Sequence, residues 1–327
     1  MSPESRSRQL MNATLIESCA DTLHRHLAKQ KERRCVLLTG PAELGAFSQD
    51  RLDECKAAGI AVSPVRVKHP NLDASYWPHA IALDLDRSRD ADLARAAIRM
   101  SLEDWQPEAL RQAHGHRIAG FLCTDVPLFE VCRHLSRVML QPSPGGGHRL
   151  LSLLDPAALE GIWRIFNADQ QTTLCGPVEE WHVVDRWFDW SVHVRPEGGL
   201  EGRRALGITV SQWSDLGNVR AINRAWAKAV SKCLPVSAQT MDELPAAMQR
   251  ARQYGLHEAA DLDAFAWHAL SVRPDFDRDP RIQTRLIARD SETTYSLSVA
   301  DLNPTDWEAI RRGWEAVNPE TTDKDHA

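Results

Sequence analysis

The sequence holds no CxxC pair, no long apolar run and no excess of basic charge, and each shortage closes off a class of function. Its seven cysteines, Cys19, Cys35, Cys55, Cys123, Cys132, Cys175 and Cys233, are scattered and odd in number. That indicates neither a disulfide framework nor a zinc knuckle, and the expectation is reduced, partly buried thiols in a cytoplasmic protein. No stretch supplies the ~20 consecutive apolar residues that a bilayer-spanning helix needs. The N-terminal MSPESRSRQLMNATLIESC lacks the sustained apolar segment of a secretory signal. Basic charge is short as well. The net charge is −6, so there is no overall field of the kind that gathers nucleic acid. A chain that neither inserts into a membrane nor binds nucleic acid is expected.

Catalytic signatures are equally scarce. TGPAELG, from Thr39 to Gly45, lacks the GK[ST] that would hold phosphate and magnesium. PGGGH, from Pro144 to His148, precedes a strand rather than joining strand to helix, so it reads as a turn and not as a dinucleotide cradle. His24 and His26 are two apart on a helix, and His114 and His116 straddle Gly115. Neither pair has the i, i+4 spacing of a helical zinc site. Cys132 and His134 lie two apart on a predicted helix and point roughly 200° away from each other. Cys123 ends a predicted strand, where nucleophiles do sit in α/β enzymes, yet it lacks the sharp G-x-S-x-G elbow. A Cys-dependent hydrolase using Cys123 and a histidine from elsewhere is the enzymatic alternative. The leading expectation has no catalytic residue, no cofactor and no metal.

What the chain does hold is an ordinary globular balance, 43% hydrophobic and 26% charged over 327 residues, with eleven Trp against three Tyr and seven Phe. Trp supplies large contact area in cores and at protein interfaces. Leu15, Cys19, Leu23 and Leu27 form a helical stripe between about Asn12 and Arg34, and CVLLT (Cys35 to Thr39) follows as a buried strand. A helix is expected from Ala46 to Ala58, then an extended AVSPVRV whose Pro64 suits an edge. AIALDL and RIAGFLC read as strands, while Ala91–Glu103, Pro107–Ala113 and DVPLFEVCRHLSRVML read as helices. This alternation predicts an α/β lobe with a mixed sheet and packed helices over residues 1–214. WFDWSVHV and ALGITVSQW flank the Gly-rich RPEGGLEGRR, which suggests a β-hairpin. After Asp215 the pattern turns helical, with capping boxes expected at Thr240/Glu243 and Thr305/Glu308 and an Asp-Pro start at Asp279. Residues 215–327 are therefore expected to form a mainly α-helical lobe that ends in a frayed NPETTDKDHA.

One carboxylate raises a sharper question. In GGGHRLLSLLDPAALEGIWRIF, Asp155 interrupts two apolar segments, as a buried base or ligand would. Asp followed by Pro is also the favoured start of a helix. Leu159, Ile162, Trp163 and Phe166 then fall on one helical face. A cap accounts for Asp155 without any chemistry.

The order of motifs from Cys123 to Trp181 resembles the effector-adaptor family of type VI secretion, domain-of-unknown-function family 4123. The resemblance rests on Arg133, His134 and Leu135, then a Gly turn, then Asp155 and Pro156, then Gly176 and Pro177 ahead of Trp181. SYWPHAIALDL is similar to the family's earlier aromatic-Pro strand, and ARQYGLHEAADLDAFAWHAL to the tail segment often joined to it. The similarity is strongest over about residues 35–190. LLSLL and Ala157 stand where the family commonly has an aromatic-rich strand and an Arg. The resemblance implies a non-catalytic cytoplasmic adaptor that binds a cognate effector and helps load it onto the VgrG spike. In a strand, Trp187 would share one face with Asp189 while Phe188 and Trp190 share the other. Trp187, Phe188 and Trp190 are the candidate partner-binding residues.

Overall fold

Residues 3–28, 33–41, 47–112, 115–197, 205–290 and 292–313 are described by a computed structural model, with α1 side chains from Ala13 onward. In order, the elements are α1 (Pro3–Ala28), β1 (Arg34–Pro41), α2 (Gln49–Ala57), β2 (Val62–Pro64), β3 (Pro78–Leu83), α3 (Ser88–Asp104), α4 (Pro107–Gln112), β4 (Ile118–Thr124), α5 (Leu128–Val138), β5 (Leu140–Pro142) and β6 (His148–Leu150). They continue with α6 (Pro156–Ile165), α7 (Ala168–Cys175), β7 (Val178–Val184), β8 (Trp190–Val194), α8 (Val210–Ser231), α9 (Ala238–Gln253), α10 (Ala259–Ser271), α11 (Pro280–Ala288), α12 (Tyr295–Ser298) and α13 (Pro304–Arg312). The chain divides into two compact units at Leu216/Gly217, inside α8, where the sequence places a boundary near residue 214.

The first unit is built on a six-stranded sheet of order β2-β3-β1-β4-β7-β8, beside a two-stranded β5-β6 ribbon. The sheet expected as mixed has its strands joined by antiparallel ladders throughout. Its two central strands are covered on both faces. Val36 to Leu38 on β1 and every residue of β4 are buried, which is why those stretches read as continuous apolar runs rather than alternating ones. The β2 edge ends in Pro64, which has no N–H to offer another strand.

Helices cover both faces of this sheet. On one face, Val36, Leu38, Leu122, Trp181 and Val183 meet Val131, Leu135 and Val138 of α5, Leu159 and Ile162 of α6, and Leu174 of α7. On the other, α3 packs on β3, β4 and β7, and α1 packs on α3. Trp181 also explains a glycine in the middle of the core. Its indole crosses β4 and donates to the Ala119 carbonyl at 3.1 Å. A Cβ on Gly120, at φ +132°, would lie 2.8 Å from that indole nitrogen and 2.5 Å from the His182 carbonyl.

Two expectations need correction here. The hairpin lies one strand earlier than expected, between β7 and β8, with Val184 opposite Trp190. ALGITVSQW is not its second strand: the chain from Val210 enters α8. The reason is local, since Asp185 closes a tight turn that the aromatic run disguised as a strand.

The second unit is mainly helical, and a core of Leu244, Met248, Phe265, Phe276, Ile282 and Tyr295 holds its helices together. Asp279 caps α11 by accepting from Arg281 N at 2.9 Å, with Pro280 at the first helical position, as the sequence indicates. The two expected capping boxes are displaced. Ser237, not Thr240, caps α9, and Asn303 with Asp306, rather than Thr305 with Glu308, forms the reciprocal box of α13. In both cases a polar residue two or three positions earlier reaches the orphan N–H groups first. NPETTDKDHA lies outside the described residues.

Candidate functional site

All the motif residues lie in the first unit, but only some of them meet there. His134, buried on α5, lies 2.8 Å through Nε2 from the Leu174 carbonyl at the end of α7, so Nε2 carries the proton. Gly176 caps α7 at φ +55°, directly under that imidazole. Its carbonyl accepts from Arg195 Nη1 at 2.6 Å, and the Pro177 carbonyl accepts from Thr124 Oγ1 at 2.7 Å. Leu135 is fully buried in the same core as Trp181. Arg133, by contrast, is exposed and 3.8 Å from Glu130.

Asp155 does what a cap does. Its Oδ1 accepts from Ala157 N at 2.9 Å with Pro156 at the first helical position. His116 Nε2 lies 3.6 Å away, and burial pushes that imidazole's pKa below its ordinary value. Asp155 is not brought together with Cys123, Cys132 or His134. Cys132 Sγ faces the Ser63 carbonyl at 4.0 Å instead.

Trp187 to Asp189 of WFDW form a turn, and only Trp190 belongs to a strand. The Asp185 carboxylate accepts from Trp187 N at 2.9 Å and from Asp189 N at 3.0 Å, while Phe188 N donates to the Asp185 carbonyl at 3.0 Å. Phe188 sits at φ +65°, a left-handed conformation that a bulky residue adopts only when its surroundings impose it. The strand alternation expected for Trp187, Phe188 and Trp190 therefore does not apply. Trp187 is 38% exposed on the turn. Trp190 opens β8 and is turned inward, its indole N–H donating to His182 Nδ1 at 3.2 Å.

That contact belongs to a polar cluster which no sequence motif announced. Glu180 and His182, two apart on β7, share the face opposite Trp181. Glu180 Oε2 is 2.9 Å from His182 Nε2 and 2.9 Å from His26 Nδ1 of α1. Arg33 donates to Glu180 Oε1 at 3.0 Å and pairs with Glu179 at 2.7 Å. Burial works to raise the Glu180 carboxyl, but the bonds from His26 and His182 and the charge of Arg33 outweigh it and hold the pKa below the ordinary range.

Cys123 Sγ stands 3.5 Å from His182 Nε2, so the alternative of a cysteine with a distant histidine does find its imidazole. The protons are in the wrong place for it. Indole is a donor only, so Nδ1 of His182 is the unprotonated nitrogen and Nε2 carries the hydrogen that it gives to Glu180. Nε2 then has no lone pair with which to take a proton from the thiol. Burial also pushes Cys123 up to about 12, with Glu180 adding to the effect, and pulls His182 down to about 4. Both groups are held neutral, the opposite of an activated thiolate–imidazolium pair.

The architecture is that of an antiparallel α/β unit joined to a helical unit, with His134, Leu135, Gly176 and Trp181 engaged in packing, Asp155 in capping and Arg133 left exposed; among the described residues a part-buried His/Glu/His cluster stands apart from them. No protein-family model matches the chain, and no curated protein or solved structure matches it either.

Proposed function

We propose that this chain is a non-catalytic adaptor that binds a cognate type VI secretion effector and helps load it onto the VgrG spike. The single observation behind this reading is the packing of His134 on Gly176. Two motif positions far apart in sequence interlock so tightly that each restricts the other, as expected of a fold signature rather than a chance run of residues. The neutral, buried Cys123 agrees with a role in binding rather than catalysis. Trp187, an exposed aromatic on a turn braced by Asp185, supports the reading as a candidate partner contact.

The test is affinity capture of the tagged chain from its native cell under conditions where the secretion system is expressed, read by mass spectrometry. One large effector recovered together with a VgrG protein supports the reading, and recovery of neither removes it. Wild-type and Cys123→Ser chains compared side by side address the hydrolase alternative, because an adaptor captures its cargo equally well without the thiol.

A further inference from the structure

The His26, Glu180 and His182 side chains place one ligand atom each, Nδ1, Oε2 and Nε2, within 4.8 Å of one another. We infer that these three residues form a binding site for a divalent d-block cation such as zinc or cobalt. The inference goes beyond the adaptor reading and stands or falls separately from it.

Two imidazoles and a carboxylate are the donor set that zinc takes when one coordination position is kept for a fourth ligand. The two rings approach edge to face, 86° apart with centroids at 5.0 Å, and Glu180 Oε2 lies 2.9 Å from a nitrogen of each. Glu180 divides its oxygens: Oε2 faces both imidazoles, while Oε1 is held by Arg33 at 3.0 Å. An outer partner on the second oxygen is how ligating carboxylates are commonly fixed in orientation. With metal–donor bonds of about 2.0–2.2 Å, a tetrahedral site spaces its donors by roughly 3.3 Å. The 2.9 Å separations seen here therefore open by a few tenths of an ångström on binding.

Cys123 is the soft donor beside the triad, its sulfur 3.5 Å from His182 Nε2. That separation is about the nitrogen–sulfur edge of a tetrahedral site with a zinc–sulfur bond of ~2.3 Å. Charge favours its recruitment. Glu179 and Glu180 face Arg33, and a bound dication is balanced if the thiol gives up its proton and ligates as thiolate. Access is from the α1 side, where the His26 side chain is 24% exposed while that of His182 is fully buried.

Trp190 makes the proposal specific. Its indole N–H donates to His182 Nδ1, and that bond requires the proton to sit on Nε2. Coordination through Nε2 moves that proton to Nδ1 and deprives the indole of its acceptor. The metal and Trp190 thus compete for the tautomer of one imidazole. Removing the indole N–H should tighten metal binding, whereas a purely structural hydrogen-bond network would only be weakened by the same change.

The experiment is titration of the chelator-stripped full-length chain with Co²⁺ and Zn²⁺ alone, followed by calorimetry, by the visible bands of four-coordinate cobalt and by tryptophan fluorescence. One equivalent is expected to bind. His26→Ala should lower the affinity at least ~100-fold, beyond what loss of an outer-shell partner costs. Trp190→Phe should raise it roughly five-fold, the ratio set by one released hydrogen bond. In buffers of differing ionisation enthalpy, release of one proton assigns Cys123 as the fourth ligand, and Cys123→Ser should abolish that release. Absence of stoichiometric binding overturns the proposal, as does binding that His26→Ala leaves unchanged. Far-UV circular dichroism of His26→Ala and Trp190→Phe keeps folding defects apart from ligand loss.

Discussion

The imidazole of His134 lies so close over Gly176 that a Cβ on the glycine would sit 2.2 Å from His134 Cε1. Gly176 is also held at φ +55°, where side chains are strained whatever the space. Space and backbone therefore demand glycine independently. Gly176→Ala is expected to destabilise the first unit by about 3 kcal/mol, combining a left-handed backbone penalty with overpacking. Urea denaturation measures the loss. Adding His134→Ala should recover only part of it, because removing the ring relieves the clash and leaves the backbone strain. Full recovery in the double variant would show that sterics alone select the glycine.

The elements that were legible in the sequence are those whose cause is local. Asp155 and Asp279 start helices because a carboxylate and a proline suit the first turn, and that chemistry needs nothing from the rest of the chain. β1 and β4 announced themselves because strands covered on both faces are apolar without interruption. WFDW misled because aromatic residues favour strands. What overrode that preference was the Asp185 carboxylate two residues upstream of Trp187, collecting two backbone N–H groups. The metal-type cluster was half visible. Glu180 and His182, two apart in the strand VEEWHVV, must share one face of a largely buried strand, and that is a signal. His26 was not visible as their partner, because 154 residues separate it from Glu180 and only tertiary packing brings α1 to that face.

Thiol reactivity separates Cys233 from the rest. It is the one exposed cysteine of the seven. Cys123 is buried with its pKa pushed up to about 12 by desolvation and by Glu180, and Cys175 is likewise pushed up to about 12 by burial. At pH 8 a group of that pKa is thiolate about one part in 10⁴ of the time. Titration of the folded chain with an aromatic disulfide should therefore release one equivalent rapidly and the remaining six only in denaturant. Cys233→Ser should remove the fast phase and Cys123→Ser should not. A fast phase that disappears with Cys123→Ser would reinstate the thiol-hydrolase reading.

The helical unit carries an acid-sensitive imidazole. His268 Nδ1 is 2.6 Å from the Tyr295 hydroxyl, and burial, with Lys228 adding to it, pulls its pKa to about 4. Burial raises the Tyr295 pKa well above the ordinary value, so the phenol keeps its proton in its hydrogen bond with a neutral ring. The sign follows from the depressed folded pKa. The unfolded histidine, near 6.5, binds a proton that the folded one refuses, so the contribution is complete above about pH 6.5 and is lost on descending towards pH 4. Within that window stability should fall with a slope approaching 1.4 kcal/mol per pH unit from this group. Urea midpoints between pH 7.5 and 4.5 measure it. His268→Phe should flatten the slope, and the His268 ring protons should titrate with a midpoint near 4 by NMR. A midpoint near 6.5 would contradict the burial seen here.

Trp187 and Trp190, three residues apart, should behave as opposites. Trp187 lies on the Asp185-braced turn and is more than a third exposed, while Trp190 packs on Phe121 at a centroid distance of 5.8 Å and on His182 at 5.7 Å, with its N–H engaged. Truncating an exposed side chain away from caps and cores changes stability by less than about 0.5 kcal/mol. Removing a packed indole costs about 3 kcal/mol. Trp187→Ala should therefore melt like the wild type, and if the turn is a partner contact it should lose effector capture at least ten-fold, as interface tryptophans do. Trp190→Ala should melt lower whether or not a partner exists. Differential scanning calorimetry and affinity capture on the same two variants give the answer together. A Trp187→Ala chain that keeps both its melting temperature and its cargo would move the docking surface away from this turn, whereas one that keeps only its melting temperature would place the turn in the contact.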